Sequence, residues 1–265
     1  MKLISKEKDY YFFLHLFVFF TSLNFYSCKL ENLYPTNSDT VAIINGTPVQ
    51  VGEFMIVLRQ NKSLVFDGFD QRTDTVKSVS DEVFWNSDFN GVKPIDKLKE
   101  RTMQRLIKIK IEQQLAREQK IIGEFNYSMF LEFWKNENKR RKEMIYDNRV
   151  IYGPIQYDLD FYYEYFLNDL VTRLKEKLQE KEILVTHEMI QEFYAANKEK
   201  YKVFDLSKGL FKASSKDMGY LSFEEVKNNI TNQLINQQFD YLVNNKVRKT
   251  IVVINHKVYD LISYK

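Results

Sequence analysis

Cys28 is the only cysteine of the 265-residue chain and therefore its only thiol nucleophile. It directly follows Ser27, after a lysine-rich head over residues 1–9 and an almost wholly apolar run over 10–20. A positive head, a short apolar stretch and a small residue before the cut are the parts of a secretory signal. We therefore expect residues 1–27 to be a signal peptide.

The position of Cys28 resembles that of the acylated cysteine in bacterial lipoprotein signals, in which the thiol carries lipid and the cysteine becomes the new N-terminus. The resemblance implies an extracytoplasmic protein, lipid-anchored to a bacterial membrane. Residues 28–39 are polar and aperiodic, and they are predicted to be a flexible tether. Two alternatives stay open. One is plain cleavage, and the other is an uncleaved anchor, because residues 10–25 approach the roughly 17 residues that can span a bilayer.

Charge and composition exclude some classes of function. Lys and Arg number 39 against 36 Asp and Glu, and the two signs alternate along the same segments. A nucleic-acid-binding surface needs a concentrated basic face, because neutralising phosphates supplies much of its affinity. We therefore expect no nucleic-acid partner, and we interpret the basic cluster at residues 139–142 as a solvated helix face.

The sequence lacks the residue clusters that mark most catalytic and metal sites. After residue 27 the histidines are His187 and His256, and neither has a second ligand nearby at metal spacing. There is no phosphate-binding loop, nucleophile elbow or glycine-rich dinucleotide turn. We predict no metal, no cofactor and no enzymatic activity. A serine or carboxylate site assembled from distant residues stays open as an alternative.

Hydrophobic patterns predict strands at the two ends of the body. Residues 41–44 form a short apolar run ended by an Asn-Gly pair, the strongest two-residue hairpin signal, and 47–51 can return as a second strand. Near the other end, 251–254 and 258–262 are predicted to form a second hairpin. A lone hairpin is marginal in water, so the two ends are expected to pair in one small sheet.

Helices are predicted between these ends. Gly and Pro are scarce, with eight and four residues, and residues 61–91 are predicted to be loop with short helical pieces. Ser222 and Glu225 have the spacing of a capping box at the start of the last helix. The expected fold is mainly α, with a small β-sheet formed by N- and C-terminal strands. The long amphipathic segments are 94–123, 126–148, 158–181, 186–201 and 222–247.

Several segments resemble the SurA and PrsA group of exported chaperones. Residues 41–54, VAIINGTPVQVGEF, resemble the opening of that group, and 106–121 look like its following helix. Residues 185–197 match the pattern V-T-x-E-x-I-x-x-x-Y-x-x-N, and the segment through Tyr201 is similar to the one before the group's prolyl isomerase domain. The last helix and closing strands resemble the segment after it. The resemblance implies a SurA N-terminal-domain-like chaperone body over residues 40–265.

The isomerase domain of that group is expected to be absent here. Only residues 202–217 separate the flanking segments, whereas a folded domain needs at least about 50 residues. The resemblance therefore implies ATP-independent binding of unfolded or newly exported polypeptides, without prolyl isomerase activity. Two other functions stay open, a structural or adhesive envelope lipoprotein and an envelope enzyme. The sequence does not indicate an oligomeric state.

Aromatic side chains are the candidates for client binding, because they give large, rigid and sequence-tolerant contact area. The alternative for each of them is a place in the hydrophobic core. The candidates come from two of the predicted helices: Tyr127, Phe130, Trp134, Phe161, Tyr162 and Tyr165.

The substitution Cys28→Ser tests the lipid anchor. Without the thiol, we expect the protein to leave the membrane fraction or to remain as an unprocessed precursor. Mass spectrometry of the membrane-extracted wild-type protein checks the premise. An intact segment 1–27 on that protein would contradict it.

Overall fold

The computed structural model describes residues 35–70, 81–204 and 218–263. The described residues from Thr36 onward belong to one compact unit. The predicted signal peptide, Cys28 and most of the predicted tether lie outside the described residues, as does most of the predicted loop at 202–217.

The described chain is mainly helical, as predicted. The helices are α1 (Val51–Gln60), α2 (Lys62–Asp70), α3 (Asp81–Asn86), α4 (Pro94–Glu118), α5 (Tyr127–Tyr146), α6 (Leu159–Leu178), α7 (His187–Ala196), α8 (Phe223–Val247) and α9 (His256–Tyr259). The strands are β1 (Thr40–Ile44), β2 (Thr47–Gln50), β3 (Lys202–Phe204), β4 (Met218–Tyr220) and β5 (Val252–Ile254).

Strands from both ends of the body share one antiparallel sheet, in the order β2-β1-β5. Ile43 in β1 lies opposite Pro48 in β2 and Val253 in β5. The hairpin turns at Asn45 and Gly46, whose φ angles are 47° and 79°. A two-residue hairpin turn of type I′ requires a positive φ at both residues. The predicted pairing of the two ends is confirmed.

The predicted hairpin at the C-terminal end is wrong in its second half. After β5 the chain forms α9 instead of a returning strand, because the carbonyl oxygen of Asn255 accepts hydrogen bonds from the N–H groups of Val258 and Tyr259. This turn places Tyr259 edge-on against Phe54, with ring centroids 5.9 Å apart. It also buries Ile262 in the main core. Core packing therefore prevails over a second hairpin.

Helix α4 is the centre of the body. It packs against α1, α2, α3, α6 and α8. Residues 109–113 are consequently buried on every side, although Lys110, Glu112 and Gln113 are among them. Among the described residues the Gln113 amide has no hydrogen-bond partner, although a buried polar group is costly unless it has one.

Lys110 has such a partner in α1. Its ammonium group donates to both carboxylate oxygens of Glu53, at 2.7 and 2.8 Å. The hydroxyl of Tyr163 in α6 donates to the same carboxylate at 2.8 Å. Burial, together with the neighbouring carboxylate, raises the pKa of Tyr163 well above its ordinary value. This buried cluster joins three helices that are distant in sequence.

Both segments that flank the β3–β4 hairpin begin with a side-chain cap. The Thr186 hydroxyl accepts from the N–H of Met189 at 3.3 Å. Ser222 and Glu225 form the predicted capping box, which is confirmed. Helices α7 and α8 then pack through a small separate apolar cluster around Ile190 and Ile230.

Replacing Lys110 with Met tests whether the body depends on this buried ion pair. The Glu53 carboxylate would keep only the Tyr163 hydroxyl, and we expect the free energy of unfolding to fall by about 3–5 kcal/mol. Lys108→Met is the matched control, because Lys108 pairs with Asp240 at 3.0 Å in a partly exposed position and should cost under about 1 kcal/mol. Urea unfolding followed by circular dichroism measures both. Equal losses would contradict a special role for the buried pair.

Candidate functional site

Exposed apolar side chains are concentrated in one part of the body. Of the eighteen large apolar side chains that are exposed among the described residues, eight lie between residues 133 and 165. We call residues 133–165 the arm; it comprises most of α5, the α5–α6 loop and the first turns of α6. The eight side chains are Phe133, Ile145, Tyr146, Val150, Tyr152, Ile155, Phe161 and Tyr165.

Polar side chains, not apolar packing, hold the outer part of the arm. Beyond Phe130, the buried residues of α5 are Asn138 and Arg141. Together with Trp134 they follow a spacing of four and three residues, which places all three on one face of the helix. That face is turned toward the α5–α6 loop.

Arg141 binds the loop at several points. Its guanidinium donates to the carbonyl oxygens of Tyr152 at 3.0 Å and Pro154 at 2.6 Å, and to the hydroxyl of Tyr157 at 2.8 Å. It also lies 4.2 Å from the centre of the Tyr157 ring. Its Nε donates to Glu137 at 2.8 Å. Hydrogen bonds from Arg140 and, second, from Arg141 lower the pKa of Glu137, so the charge of this carboxylate is stabilised in the fold.

Tyr157 is the point at which the loop meets α5. Its N–H donates to Asn138 Oδ1 at 2.8 Å. Its carbonyl oxygen accepts from Asn138 Nδ2 at 3.0 Å and from the Trp134 indole N–H at 2.9 Å. The loop backbone is therefore ordered by side-chain hydrogen bonds, whereas Val150, Tyr152 and Ile155 of the loop are exposed.

Aromatic rings extend from Tyr157 onto α6. The rings of Phe161 and Tyr165 both stack nearly parallel to Tyr157, each with its centroid 5.8 Å away. Tyr162 lies 5.3 Å away at an angle of 45°. Phe161 and Tyr165 are exposed, so this group of rings forms an open aromatic shelf at the base of the arm.

The six candidate residues are divided by burial. Phe130 is fully buried and Tyr127 nearly so, and both belong to the main core. Tyr127 packs so closely on Gly52 that a Cβ atom there would lie 2.5 Å from its ring. These two side chains therefore support the fold and cannot reach a client in this conformation.

The other four candidates lie at the arm. Phe161 and Tyr165 are exposed on the shelf, whereas Trp134 and Tyr162 are half-buried. The structure thus brings Phe161, Tyr162 and Tyr165 together around Tyr157, and Tyr162 also stacks on Phe130 of the main core, with ring centroids 5.8 Å apart.

Sequence reasoning missed the tip of the arm. Tyr146 and Tyr152 are 89% and 87% exposed, and Val150 and Ile155 are exposed beside them in the chain. Val150, Tyr152 and Ile155 stand among Asn, Gly and Pro between two predicted helices, and Tyr146 lies in the charged second half of the predicted helix 126–148, so neither pattern marks them as a site. The available signal was an unusual number of large apolar residues in a segment otherwise typical of a turn.

The basic cluster at residues 139–142 is only partly a solvated helix face. Lys139 lies 3.8 Å from Glu143, and Arg140 lies 2.7 Å from Glu137. Lys142 is exposed as well. Arg141, in contrast, is turned inward and buried, because the loop carbonyls offer it more partners than solvent-exposed neighbours do.

No cluster of three or more potential metal ligands occurs within residues 35–70, 81–204 and 218–263. In the same ranges, no helix is long and apolar enough to cross a membrane. A shallow cleft of about 350 Å³ between α2 and α4 carries Lys97 and Glu100, which pair with each other at 2.8 Å.

Glu112 is, after Glu53, the most buried carboxyl group of the described residues. Desolvation raises its pKa, and Arg105 is its nearest cation, at 4.0 Å. It lies within the helical interior and not at the cleft, where a substrate would have access.

No protein-family model and no curated protein matches this chain. The geometry of the arm is therefore the main basis for assigning a function.

Arg141→Met should release the arm without unfolding the body. The change removes the donors to two loop carbonyls and the Tyr157 hydroxyl, so we expect proteolysis within residues 147–158 to accelerate about tenfold or more. Arg140→Met is the matched control, since Arg140 binds the same Glu137 but is exposed. Limited proteolysis, with cleavage sites identified by mass spectrometry, measures the effect. If both variants are cleaved at the wild-type rate, Arg141 does not hold the loop.

Proposed function

We propose that this protein is an ATP-independent, extracytoplasmic chaperone that binds unfolded or newly exported polypeptides. The arm is the client-binding surface, and a lipid on Cys28 anchors the body to a bacterial membrane. The observation that supports this proposal is the concentration of exposed apolar side chains on the arm. Exposed apolar surface of this kind, with polar groups around it, is typical of interaction sites.

The binding energy in this proposal comes from burial of apolar surface. Each Å² removed from water contributes about 25 cal/mol, and the ordering of the client opposes it. Ordering the arm adds little to this entropic cost, because Arg141, Asn138 and Trp134 already order its loop. A pre-ordered aromatic surface suits weak, reversible binding of many sequences.

The resemblance to the SurA and PrsA group supports the same function. In this proposal the body corresponds to the chaperone part of that group, without the isomerase. Lys202 lies opposite Tyr220 and Phe204 opposite Met218, so the described residues on the two sides of segment 205–217 pair with each other. A segment of this length leaves no room for a folded domain of about 50 residues.

A structural or adhesive role is the second candidate. The ordered hydrogen bonding of the loop favours it, because a fixed surface also suits one folded partner. The two functions differ in selectivity, since a chaperone holds many unfolded clients and an adhesive protein binds one folded partner.

An aggregation assay tests the proposal. The chain from Lys29 onward contains the whole compact unit, and we expect it to slow the aggregation of several chemically unfolded proteins without ATP. Tyr146→Ser combined with Tyr152→Ser should reduce this effect severalfold, because the change removes the two most exposed rings of the arm. Tyr241→Ser is the control, since Tyr241 is 71% exposed on α8. Light scattering measures aggregation, and circular dichroism verifies the fold of each variant.

Two results would contradict parts of the proposal. A wild-type body that holds no unfolded client, but binds one folded partner tightly, would favour the adhesive function. The second result concerns proline isomerisation, whose barrier is about 20 kcal/mol. Acceleration of proline-limited refolding would show that an isomerase site is present despite the short 205–217 segment.

A further inference from the structure

The two edges of the β2-β1-β5 sheet differ in what they offer to another chain. In the pairing of β1 with β2, Ala42 lies opposite Val49 and Ile44 lies opposite Thr47. Pro48 lies between these two pairs, so its backbone nitrogen and carbonyl group point away from β1. Proline has no N–H group, and an exposed proline at this position blocks the addition of a further strand. The β2 edge is therefore closed.

The register of β5 shows which of its backbone groups are used. The N–H of Asn45 donates to the carbonyl oxygen of Ile251 at 3.0 Å, and Val253 lies opposite Ile43. Backbone groups alternate in direction along an antiparallel strand. Residues 251 and 253 therefore face β1, and Val252 and Ile254 direct their N–H and C=O groups outward.

These outward groups have no partner in the part of the chain that the structure describes. No hydrogen bond to the backbone of Val252 or Ile254 at the outer edge occurs within it. Their side chains are only half-buried, although they point toward the core. Both observations show that no described element covers the β5 edge.

The surface beside this edge is apolar, with basic residues at both ends. Ile251 is 71% exposed and Val253 is 58% exposed on the outer face. Arg248 and Lys249 precede the strand and Lys257 follows it, and all three are exposed. A partner with alternating apolar side chains and acidic residues at its ends would complement this arrangement in both hydrogen bonding and charge.

We propose that the β5 edge binds an extended polypeptide segment with acidic flanks as an added strand. That the bound segment belongs to an unfolded client rests on the proposed function. Hydrogen bonds to the peptide backbone do not depend on side-chain identity, so this mode is compatible with many clients. A second copy of this chain is a poorer fit. A stable dimer interface buries at least about 1,200 Å² in total, and two three-residue strands would supply only a small part of that area.

A binding measurement with defined peptides tests this site. The probe is a fluorescein-labelled peptide of about ten residues that alternates valine and threonine and carries glutamate at both ends. Fluorescence anisotropy measures its affinity for the chain from Lys29 onward. We expect a peptide with lysine at both ends to bind severalfold more weakly, and this difference to shrink with added salt.

Val252→Pro removes one outward N–H at the first residue of the strand, where the β1–β5 hydrogen bonds do not use it. We expect it to weaken glutamate-peptide binding at least about fivefold, whereas Val252→Thr should bind like the wild type. Thermal unfolding monitors the fold. If the proline variant unfolds, Val253→Glu replaces it, since this exposed substitution removes apolar surface and repels the acidic peptide.

Three outcomes would overturn the proposal. One is the absence of peptide binding by the wild type, and another is equal binding by Val252→Pro and Val252→Thr in their folded states. The third is a wild-type dimer, detected by light scattering, that Val252→Pro dissociates. The arm variant with Tyr146→Ser and Tyr152→Ser should keep peptide binding. Failure of the aggregation assay with peptide binding intact would therefore count against the proposed function and not against the β5 site.

Discussion

The buried ion pair between Glu53 and Lys110 is the interaction on which the arrangement of the body depends. A buried charge without a partner costs several kcal/mol, so α1 and α4 have to meet in the one register that brings these groups together. Tyr163 adds α6 to the same point. The main apolar core forms around these three helices, and non-directional apolar packing alone would specify their register less strictly.

The helices joined by this ion pair also position both candidate binding surfaces. Helix α1 follows β2 directly, so the register of α1 also places the sheet and its β5 edge. At the other end of α1, Arg59 donates to Asp160 at 2.6 Å and so holds the first turn of α6. That turn carries the aromatic shelf. The close approach of Tyr127 to Gly52 ties the start of α5 to the same helix.

The arm and the body are stabilised by different forces. Apolar burial holds the helices around α4, whereas the α5–α6 loop is held by hydrogen bonds from Arg141, Asn138 and Trp134. This difference has a consequence for binding. Because polar groups order the loop, its exposed apolar side chains remain available on the surface. The β5 edge, in contrast, offers backbone groups. The molecule therefore presents side-chain contacts at one surface and backbone contacts at another.

Local sequence determined the elements of this protein, and tertiary contacts determined their environment. The Asn45–Gly46 turn, the Ser222–Glu225 capping box and the long helices depend on neighbouring residues, and the sequence was sufficient to predict them. The inward turn of Arg141, the burial of Phe130 and the helical turn after Asn255 depend on groups that only the folded chain brings near. The same holds for Lys110, whose partner is 57 residues away in sequence. Periodicity shows that a helix has an apolar face, but it does not show which residues will cover that face. For this reason the sequence predicted a mainly helical body with paired ends, and only the tertiary structure separated the core aromatics from those that remain exposed on the arm.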